Sequence, residues 1–327
     1  MRGGLGEFVA MIRMVCVLAA TMLLSPGMTM ADTWTERTVS IDGGPAPLRG
    51  TLTMPAGTDA VDAVLIHPGS GPVDRDGNNF LIGDNNSLSL LARSLADRGI
   101  ASLRIDKRGI GESAKAAPDE RDLRFDIYAD DAVQWLDFLE VQPRIRRLFL
   151  IGHSEGALVA TLAAQRKPVS GVILIAGTGR SVPALLREQF AVNLPTSLQT
   201  PAATILQKLE RGETVAGVPA ALAAEFRPSI QPYLISLFGY DPAAELAKLH
   251  IPTQIVQGTR DIQVSTDDAE RLAAARGDAR LVIVEDMSHV LKIAPADRAG
   301  NIRLYADPGV PLAPTLVPAI ADFIRAE

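Results

Sequence analysis

The sequence predicts an α/β protein with a mostly parallel central sheet covered by helices on both faces. From residue 63 onwards, short apolar runs of β type alternate with helical patterns. These runs are too hydrophobic for a sheet with one solvent-exposed face, so helices are expected to cover both faces. A proline-rich interval of about 70 residues breaks the alternation, whereas a crossover needs only about a dozen. We therefore expect an insertion there.

The predicted strands and helices follow one another along the chain. Strands 35–41 and 47–54 would form a hairpin, and the other strands are predicted at 63–66, 100–105, 147–151, 171–176, 253–257 and 281–284. Helices are predicted at 87–98, 126–139, 156–166, 267–275 and 314–326. The core would comprise residues 32–179 and 251–327.

Residues 180–250 form the insertion, with helical patterns at 183–192, 202–210 and 219–225. We interpret it as a helical cap over the C-terminal edge of the sheet, which would select substrates. An ordinary surface elaboration is the alternative. The aromatic residues of this segment could line an acyl pocket, or they could only pack its helices together.

Residues 1–31 have the pattern of a secretory signal peptide. Arg13 precedes an apolar run from Met14 to Leu24, and small residues near Ala31 provide a cleavage site. A retained anchor helix is the alternative. Cleavage would make the protein periplasmic or secreted, without stable membrane association. It would also remove Cys16, the single cysteine, so that no disulfide, thiol nucleophile or cysteine-based metal site remains.

The charge pattern argues against nucleic acid as a partner. The formal net charge is −6 at pH 7, and the lysines and arginines form no cluster along the chain.

Gly-His-Ser-Glu-Gly at 152–156 lies between a predicted strand and a predicted helix. A G-x-S-x-G sequence in that setting is typical of a nucleophile elbow, a tight turn that holds a serine hydroxyl above the sheet edge. Gly152 and Gly156 leave room for the turn to close. The N-terminus of the helix adds free N–H groups where negative charge would develop. Ser154 is thus the candidate nucleophile.

A serine hydroxyl needs a base, and the chain has four histidines. His153 adjoins Ser154 on the elbow, where its side chain should point elsewhere. His67 ends an early strand, and His250 precedes strand 253–257. His289 follows the last strand, at the edge where Ser154 would lie, and is the predicted base.

The base needs an orienting acid, which we assign to Asp261 because it follows strand 253–257 at the same sheet edge. Asp267 and Asp268 fit a helix N-terminus better. Glu285 and Asp286 are the other competitors.

Acyl transfer also needs two N–H donors for the oxyanion. Glu155 would supply one, as the residue after the nucleophile. The other would come from the loop after strand 63–66, with Ser70 preferred and Gly71 as the alternative.

Together these segments resemble the α/β-hydrolase superfamily, in the branch of esterases grouped with serine aminopeptidase-type hydrolases. The resemblance runs from about residue 63 to the end. It rests on the elbow and on the segments 67–72, 106–113, 258–261 and 288–292. The order Ser154, Asp261, His289 is the one that this superfamily uses. One departure is His67-Pro68-Gly69, which replaces the usual His-Gly start of the oxyanion loop.

Two other motifs match ligand-binding patterns only in part. Gly109–Ala114 matches a dinucleotide fingerprint, but it does not run into a helix, so a tight turn held by Arg108 is favoured. Asp74–Asn79 resembles the start of a calcium loop. Asn79 and Asn85 stand where an EF-hand needs glycine and glutamate, so an ordered loop near the site is favoured.

The resemblance implies a serine hydrolase without cofactor or metal, acting on a small-molecule ester or a short peptide. A carboxylesterase for short or medium acyl or aryl esters is the preferred activity. The alternatives are an aminopeptidase, a thioesterase or lactonase of the same fold, and a non-catalytic protein that retains the fold.

Overall fold

A computed structural model describes residues 33–117 and 119–327. The predicted signal peptide therefore lies outside the described residues. The strands are β1 (Trp34–Ile41), β2 (Leu48–Pro55), β3 (Val61–His67), β4 (Ala101–Ile105), β5 (Ile145–His153), β6 (Gly171–Ile175), β7 (Thr253–Gly258) and β8 (Arg280–Val284). The helices are α1 (Ser87–Ala96), α2 (Asp126–Glu140), α3 (Glu155–Arg166), α4 (Val182–Asn193), α5 (Thr196–Glu210), α6 (Ala223–Phe226), α7 (Gln231–Phe238), α8 (Pro242–Ala247), α9 (Thr266–Ala275), α10 (Arg298–Arg303) and α11 (Leu316–Ala326).

The eight strands form one sheet in the order β1-β2-β4-β3-β5-β6-β7-β8. β2 pairs antiparallel with both β1 and β4, and every other pairing is parallel. The predicted α/β class with a mostly parallel sheet is confirmed. The parallel strands end at one edge of the sheet, where the loops after β3, β5, β7 and β8 meet.

Helices cover both faces of the sheet, as the apolar strands require. Successive residues of β3 alternate between two hydrophobic clusters: Ala63 and Leu65 pack with α2 and α3, whereas Val64 and Ile66 pack with α1 and α11. Since both faces are buried, β3 is an unbroken apolar run from Ala63 to Ile66.

The segment 180–250 is helical, as predicted, but the sequence patterns do not indicate two of its helices. α5 begins at Thr196 and contains Pro201, and α7 and α8 fall where only proline punctuation is expected. The sequence patterns miss α7 and α8 because Pro232 and Pro242 lie in their first turns. A proline is tolerated there, since the N–H that it lacks would have no partner within the helix.

The aromatic residues of this segment pack its helices, which is one of the two interpretations left open by the sequence. Phe226 is fully buried in a small cluster formed by α5 and α6, and Phe190 packs against it. Tyr233 and Leu237 on α7 belong to the main hydrophobic core. No helix among the described residues is long and apolar enough to cross a membrane.

Candidate active site

Ser154 lies in a strained turn between β5 and α3. Its backbone has φ 56° and ψ −124°, a conformation that costs a non-glycine residue about 1–3 kcal/mol and is concentrated at functional sites. The flanking glycines make the turn possible. A Cβ at Gly152 would lie 2.1 Å from the carbonyl oxygen of Gly156, and one at Gly156 would lie 2.5 Å from that of His67. The sequence-based assignment of a tight elbow thus has a steric basis in both glycines.

His289 and Asp261 lie on the loops after β8 and β7, which are neighbours in the sheet. The Nδ1 atom of His289 lies 2.8 Å from Oδ2 of Asp261. The other carboxylate oxygen of Asp261 accepts hydrogen bonds from the N–H groups of Gln263 and Val264, at 2.8 and 3.0 Å. The backbone of the loop therefore holds the carboxylate in the orientation in which its other oxygen contacts the imidazole.

The pKa of Asp261 is lowered from its usual value. Burial by itself would raise this pKa, but His289 and the N–H groups of Val264 and Gln263 outweigh it. The carboxylate therefore stays ionised near neutral pH and accepts a proton-bearing Nδ1. In that tautomer Nε2 has a free lone pair and can act as a base.

The other candidate acids contact other groups or lie in other elements. Asp268 pairs with Arg180 and caps α9 through Ser265, and Asp286 pairs with Arg260. Glu285 accepts a hydrogen bond from Thr259, and Asp267 lies in the first turn of α9. Only Asp261 among these candidates contacts His289.

The other histidines have different surroundings. His67 is buried with Nδ1 3.0 Å from the carbonyl oxygen of Pro68, and burial followed by the charge of Lys107 lowers its pKa to about 3. His250 is exposed at the entrance to β7. The expectation that His153 points away from the site is wrong. Its ring lies 4.9 Å from that of His289, and its Nε2 lies 2.8 Å from the carbonyl oxygen of His289.

A cavity of about 230 Å³ opens beside Ser154 and His289. The predicted oxyanion-loop residues Ser70 and Gly71 also line it. The remaining lining residues are Gly69, Val73, Gly77, Asn79, Ile82, Asn85, Ser87, His153, Gln263, Val290 and Tyr305. Among the described residues, this lining includes no aspartate, glutamate, lysine or arginine.

The walls of this cavity come from the core, mainly from its loops, rather than from residues 180–250. The loop 73–87 and Tyr305 form one side, with the side-chain amide of Gln263 3.0 Å from the Tyr305 hydroxyl. The inserted segment reaches the site indirectly. Gln189 on α4 donates to the backbone of Gln263, and Tyr233 on α7 donates to the Glu155 carboxylate.

Glu155 is the first residue of α3, so its N–H belongs to the unpaired first turn of the helix. No sequence pattern singles out its side chain. Burial raises the pKa of this carboxyl, while Lys107 and the Tyr233 hydroxyl act in the opposite direction. Lys107 also escapes sequence reasoning, although it lies within the segment 106–113. Its ammonium donates to the carbonyl oxygens of Gly69 and Gly71 in the oxyanion loop.

The two partly matching motifs, at residues 109–114 and 74–79, form ordered turns. Arg108 binds the Asp131 carboxylate and the carbonyl oxygens of Gly43 and Ala116, which holds the turn at 109–114. In the loop 74–79, Asp74 accepts hydrogen bonds from the backbone of Asp76 and Asn78. Both observations agree with the structural interpretations favoured above.

A family model described as serine aminopeptidase, S33, matches residues 85–293. The chain belongs to the serine aminopeptidase S33 family. The predicted membership of the α/β-hydrolase superfamily, in its esterase and serine aminopeptidase-like branch, is thereby confirmed. The matched region contains Ser154, Asp261 and His289.

A curated relative, esterase EstD of Thermotoga maritima, is 27% identical over 278 residues. The alignment covers 81% of this chain, and the chain spans 62% of the length of that relative. Two solved structures share the fold. Est1E from Butyrivibrio proteoclasticus has a TM-score of 0.56 at 16% identity, covering 88% of this chain and 98% of its own. The esterase domain of a Rhodothermus marinus protein has a TM-score of 0.56 at 20% identity, covering 89% and 98%.

Proposed function

We propose that this S33-family protein is a serine hydrolase that cleaves carboxylic esters. The observation that carries the proposal is His289, which contacts Asp261 through Nδ1 and lines the same cavity as Ser154, a serine held in a strained turn. The similarity to esterase EstD supports the same class of reaction.

In the proposed reaction His289 takes the proton of the Ser154 hydroxyl as its oxygen attacks the ester carbonyl. Asp261 holds the imidazole in the required tautomer and stabilises its charged form. The tetrahedral oxyanion receives hydrogen bonds from the N–H of Glu155 and from one N–H of the loop 69–71. Collapse breaks the ester C–O bond, and His289 protonates the departing alcohol. A water molecule, deprotonated by His289, then attacks the acyl-enzyme; the bond to the Ser154 oxygen breaks, the acid leaves, and His289 returns the proton to that oxygen.

The lining of the cavity supports an ester in preference to a peptide with a free N-terminus. An aminopeptidase must hold the ammonium group of its substrate, and a carboxylate is the natural partner for that charge. The described lining contains no carboxylate, and the Glu155 carboxylate is engaged by Tyr233. A neutral ester needs no such partner.

The exposed tip of the loop 73–87, formed by Phe80, Leu81 and Ile82, supports the proposal that the substrate carries an apolar group. Phe80, Leu81 and Ile82 are 78%, 73% and 55% exposed, and Ile82 also lines the cavity. Three consecutive exposed hydrophobic residues are unusual for a surface turn, and here one of them, Ile82, lines the same cavity as the nucleophile. We therefore propose short or medium acyl or aryl esters as the substrate class.

The test compares p-nitrophenyl esters of increasing acyl length with aminoacyl p-nitroanilides, a phenyl thioester and a γ-lactone on the purified protein. Turnover of the esters, with anilide turnover at least a hundredfold lower, is expected. Preferential turnover of the anilides would overturn the ester assignment and favour the aminopeptidase. Absence of turnover on every compound would favour a non-catalytic protein.

We further propose that residues 180–250 act as a cap that modulates substrate choice. Its links to Gln263 and Glu155 support this role. Because α7 belongs to the main core, only residues 182–226 should be replaced, by a flexible linker. A changed acyl-length preference in the folded variant is expected, and an unchanged profile would leave the segment a surface elaboration.

We also propose export with cleavage before Asp32, on the pattern of residues 13–31. N-terminal sequencing of protein from the periplasm or medium should begin near Asp32. A retained N-terminus would contradict the proposal.

A further inference from the structure

Lys107 is a buried cation that no step of the proposed reaction uses. It follows β4 directly after Asp106 and is 3% exposed. Burying an ammonium group costs several kcal/mol unless hydrogen bonds compensate. Its ammonium donates to two carbonyl oxygens, those of Gly69 and Gly71, the second at 2.9 Å. Both acceptors belong to the loop from which the second oxyanion donor is expected.

The geometry of the peptide bond makes these contacts informative. A trans peptide unit is planar, and its C=O and N–H point in opposite directions. The carbonyl of Gly69 shares its peptide unit with the N–H of Ser70. When Lys107 binds the carbonyl on one side, it turns the N–H of Ser70 to the other side. The carbonyl of Gly71 shares its unit with Pro72, which has no N–H. Of the two units that Lys107 holds, only the one ending at Ser70 carries a donor.

The same loop lies directly against the nucleophile. A Cβ built at Gly69 would lie 3.0 Å from the Cβ of Ser154, and Gly69 and Ser70 both line the cavity. Lys107 approaches from the buried side, where the ring of Tyr128 lies 5.8 Å from its ammonium. The N–H of Ser70 therefore points away from the protein interior.

The charged and titratable groups around Lys107 come from several elements. Glu155 on α3 faces it, Tyr233 on α7 binds Glu155, Tyr128 lies on α2, and His67 ends β3. Burial lowers the pKa of Lys107 to about 8, with Glu155 acting in the opposite direction. The pKa of His67 is about 3 and those of both tyrosines are raised, mainly by burial, so these three groups are neutral around pH 8.

We propose that Lys107 is a positioning residue that orients the N–H of Ser70, rather than that of Gly71, as the second oxyanion donor. The inference rests on the proposed ester hydrolysis at Ser154. Above about pH 8 the ammonium loses its charge, and its hydrogen bonds to the two carbonyls weaken because they are no longer charge-assisted.

The test compares Lys107→Met, which removes the donor, with Lys107→Gln, which keeps a neutral N–H donor. Loss of one oxyanion donor typically lowers kcat by about a hundredfold or more, so misorientation of one should lower it by at least about tenfold. We expect that loss in Lys107→Met, with KM within twofold. The affinity for a trifluoromethyl ketone, whose adduct with a serine is an oxyanion, should fall by the same factor as kcat/KM.

The pH dependence of kcat/KM distinguishes a positioning role of the charged Lys107 from a role in packing alone. The wild-type protein should lose kcat/KM as the pH rises through about 8, and this alkaline limb should be absent from both variants. If Lys107→Met is folded by circular dichroism and keeps wild-type kcat and ketone affinity, the proposal is overturned. It is also overturned if only KM changes. If Lys107→Met does not fold, Lys107→Gln still tests the proposal: absence of the alkaline limb from its pH profile supports a positioning role, and a wild-type alkaline limb overturns it.

The exposed Lys115→Met variant serves as the control for removing a lysine from the same segment and should match the wild type. Failure of the proposed function itself has a different signature. In that case the wild-type protein neither hydrolyses esters nor binds the ketone, whereas failure of the Lys107 proposal leaves both properties intact in wild type and variant.

Discussion

At the scale of single residues, the side chain of His153 connects the nucleophile elbow to the loop that carries the proposed base, His289. Burial and the neighbouring His289 lower the pKa of His153 to about 3, so its ring is neutral at working pH. A neutral ring with a proton on Nε2 donates to the carbonyl oxygen of His289 at 2.8 Å. This bond restrains the backbone of the base.

His153→Phe keeps a ring of similar size but removes that donor. We expect kcat for p-nitrophenyl acetate to fall by about tenfold, because small misplacements of a base are costly, with the shape of the pH profile unchanged. His250→Phe, at the exposed histidine before β7, should match the wild type. Wild-type kcat in His153→Phe would show that the contact does not position His289.

Sequence reasoning identifies candidate site residues where their chemistry is tied to a strand end. Ser154, Asp261 and His289 each follow a predicted strand, and parallel strands bring such residues to one edge. The roles of His153, Lys107 and Tyr233 escape it because their partners are 136, 38 and 78 residues away in the chain. No local pattern encodes such a contact.

At the scale of elements, the exposed tip Phe80-Leu81-Ile82 is the most specific feature of the proposed substrate site. Asn79 supports it: its side chain accepts a hydrogen bond from the N–H of Leu81, and its carbonyl accepts from Ile82. Gly83 packs so closely against Ala306 that a Cβ there would come within 2.5 Å. The tip is therefore anchored at both ends.

Replacing Phe80, Leu81 and Ile82 together by serine should lower kcat/KM for p-nitrophenyl octanoate by about tenfold or more, since removing an apolar group that contacts the substrate costs about 1–3 kcal/mol. The acetate ester should change little because it cannot reach the tip. Val141→Ser, at a residue 76% exposed that does not line the cavity, is the matched control. An equal reduction for both esters would contradict a role in acyl selection.

The core strands are predictable to within a few residues, whereas the helices of the insertion and the short core helix α10 are not. A strand such as β6 is an apolar run bounded by turns, so its type and limits follow from the sequence. In the insertion, prolines begin helices at α7 and α8 and lie inside α5. A proline by itself does not say which of these positions it occupies.

At the scale of the whole molecule, a buried carboxylate at the far end of the sheet makes stability depend on pH. Asp62 on β3 is 4% exposed and pairs with Arg146 and Arg147 of β5. Burial would raise its pKa, but the two guanidinium groups lower it to about 2. Because the folded-state pKa is depressed, the stabilisation is present above about pH 4 and is lost as the pH falls towards 2.

Asp62→Asn should therefore lower the free energy of unfolding at pH 7 by about 1–2 kcal/mol, a range discounted because Arg146 is largely exposed. Urea unfolding of the variant and the wild type should converge as the pH is lowered from 4 to 2. Asp59→Asn, at an exposed residue nearby, should show no such convergence. A difference that stays constant down to pH 2 would contradict the assignment.

The claim that the rest depends on is that Ser154 is an activated nucleophile. A serine-directed fluorophosphonate probe followed by peptide mapping tests it most directly, because only a serine with a functioning base is phosphonylated rapidly. We predict one labelled residue, Ser154, and a labelling rate reduced by several orders of magnitude in His289→Ala. Label on another serine, or rapid labelling of Ser154 in His289→Ala, would contradict the account.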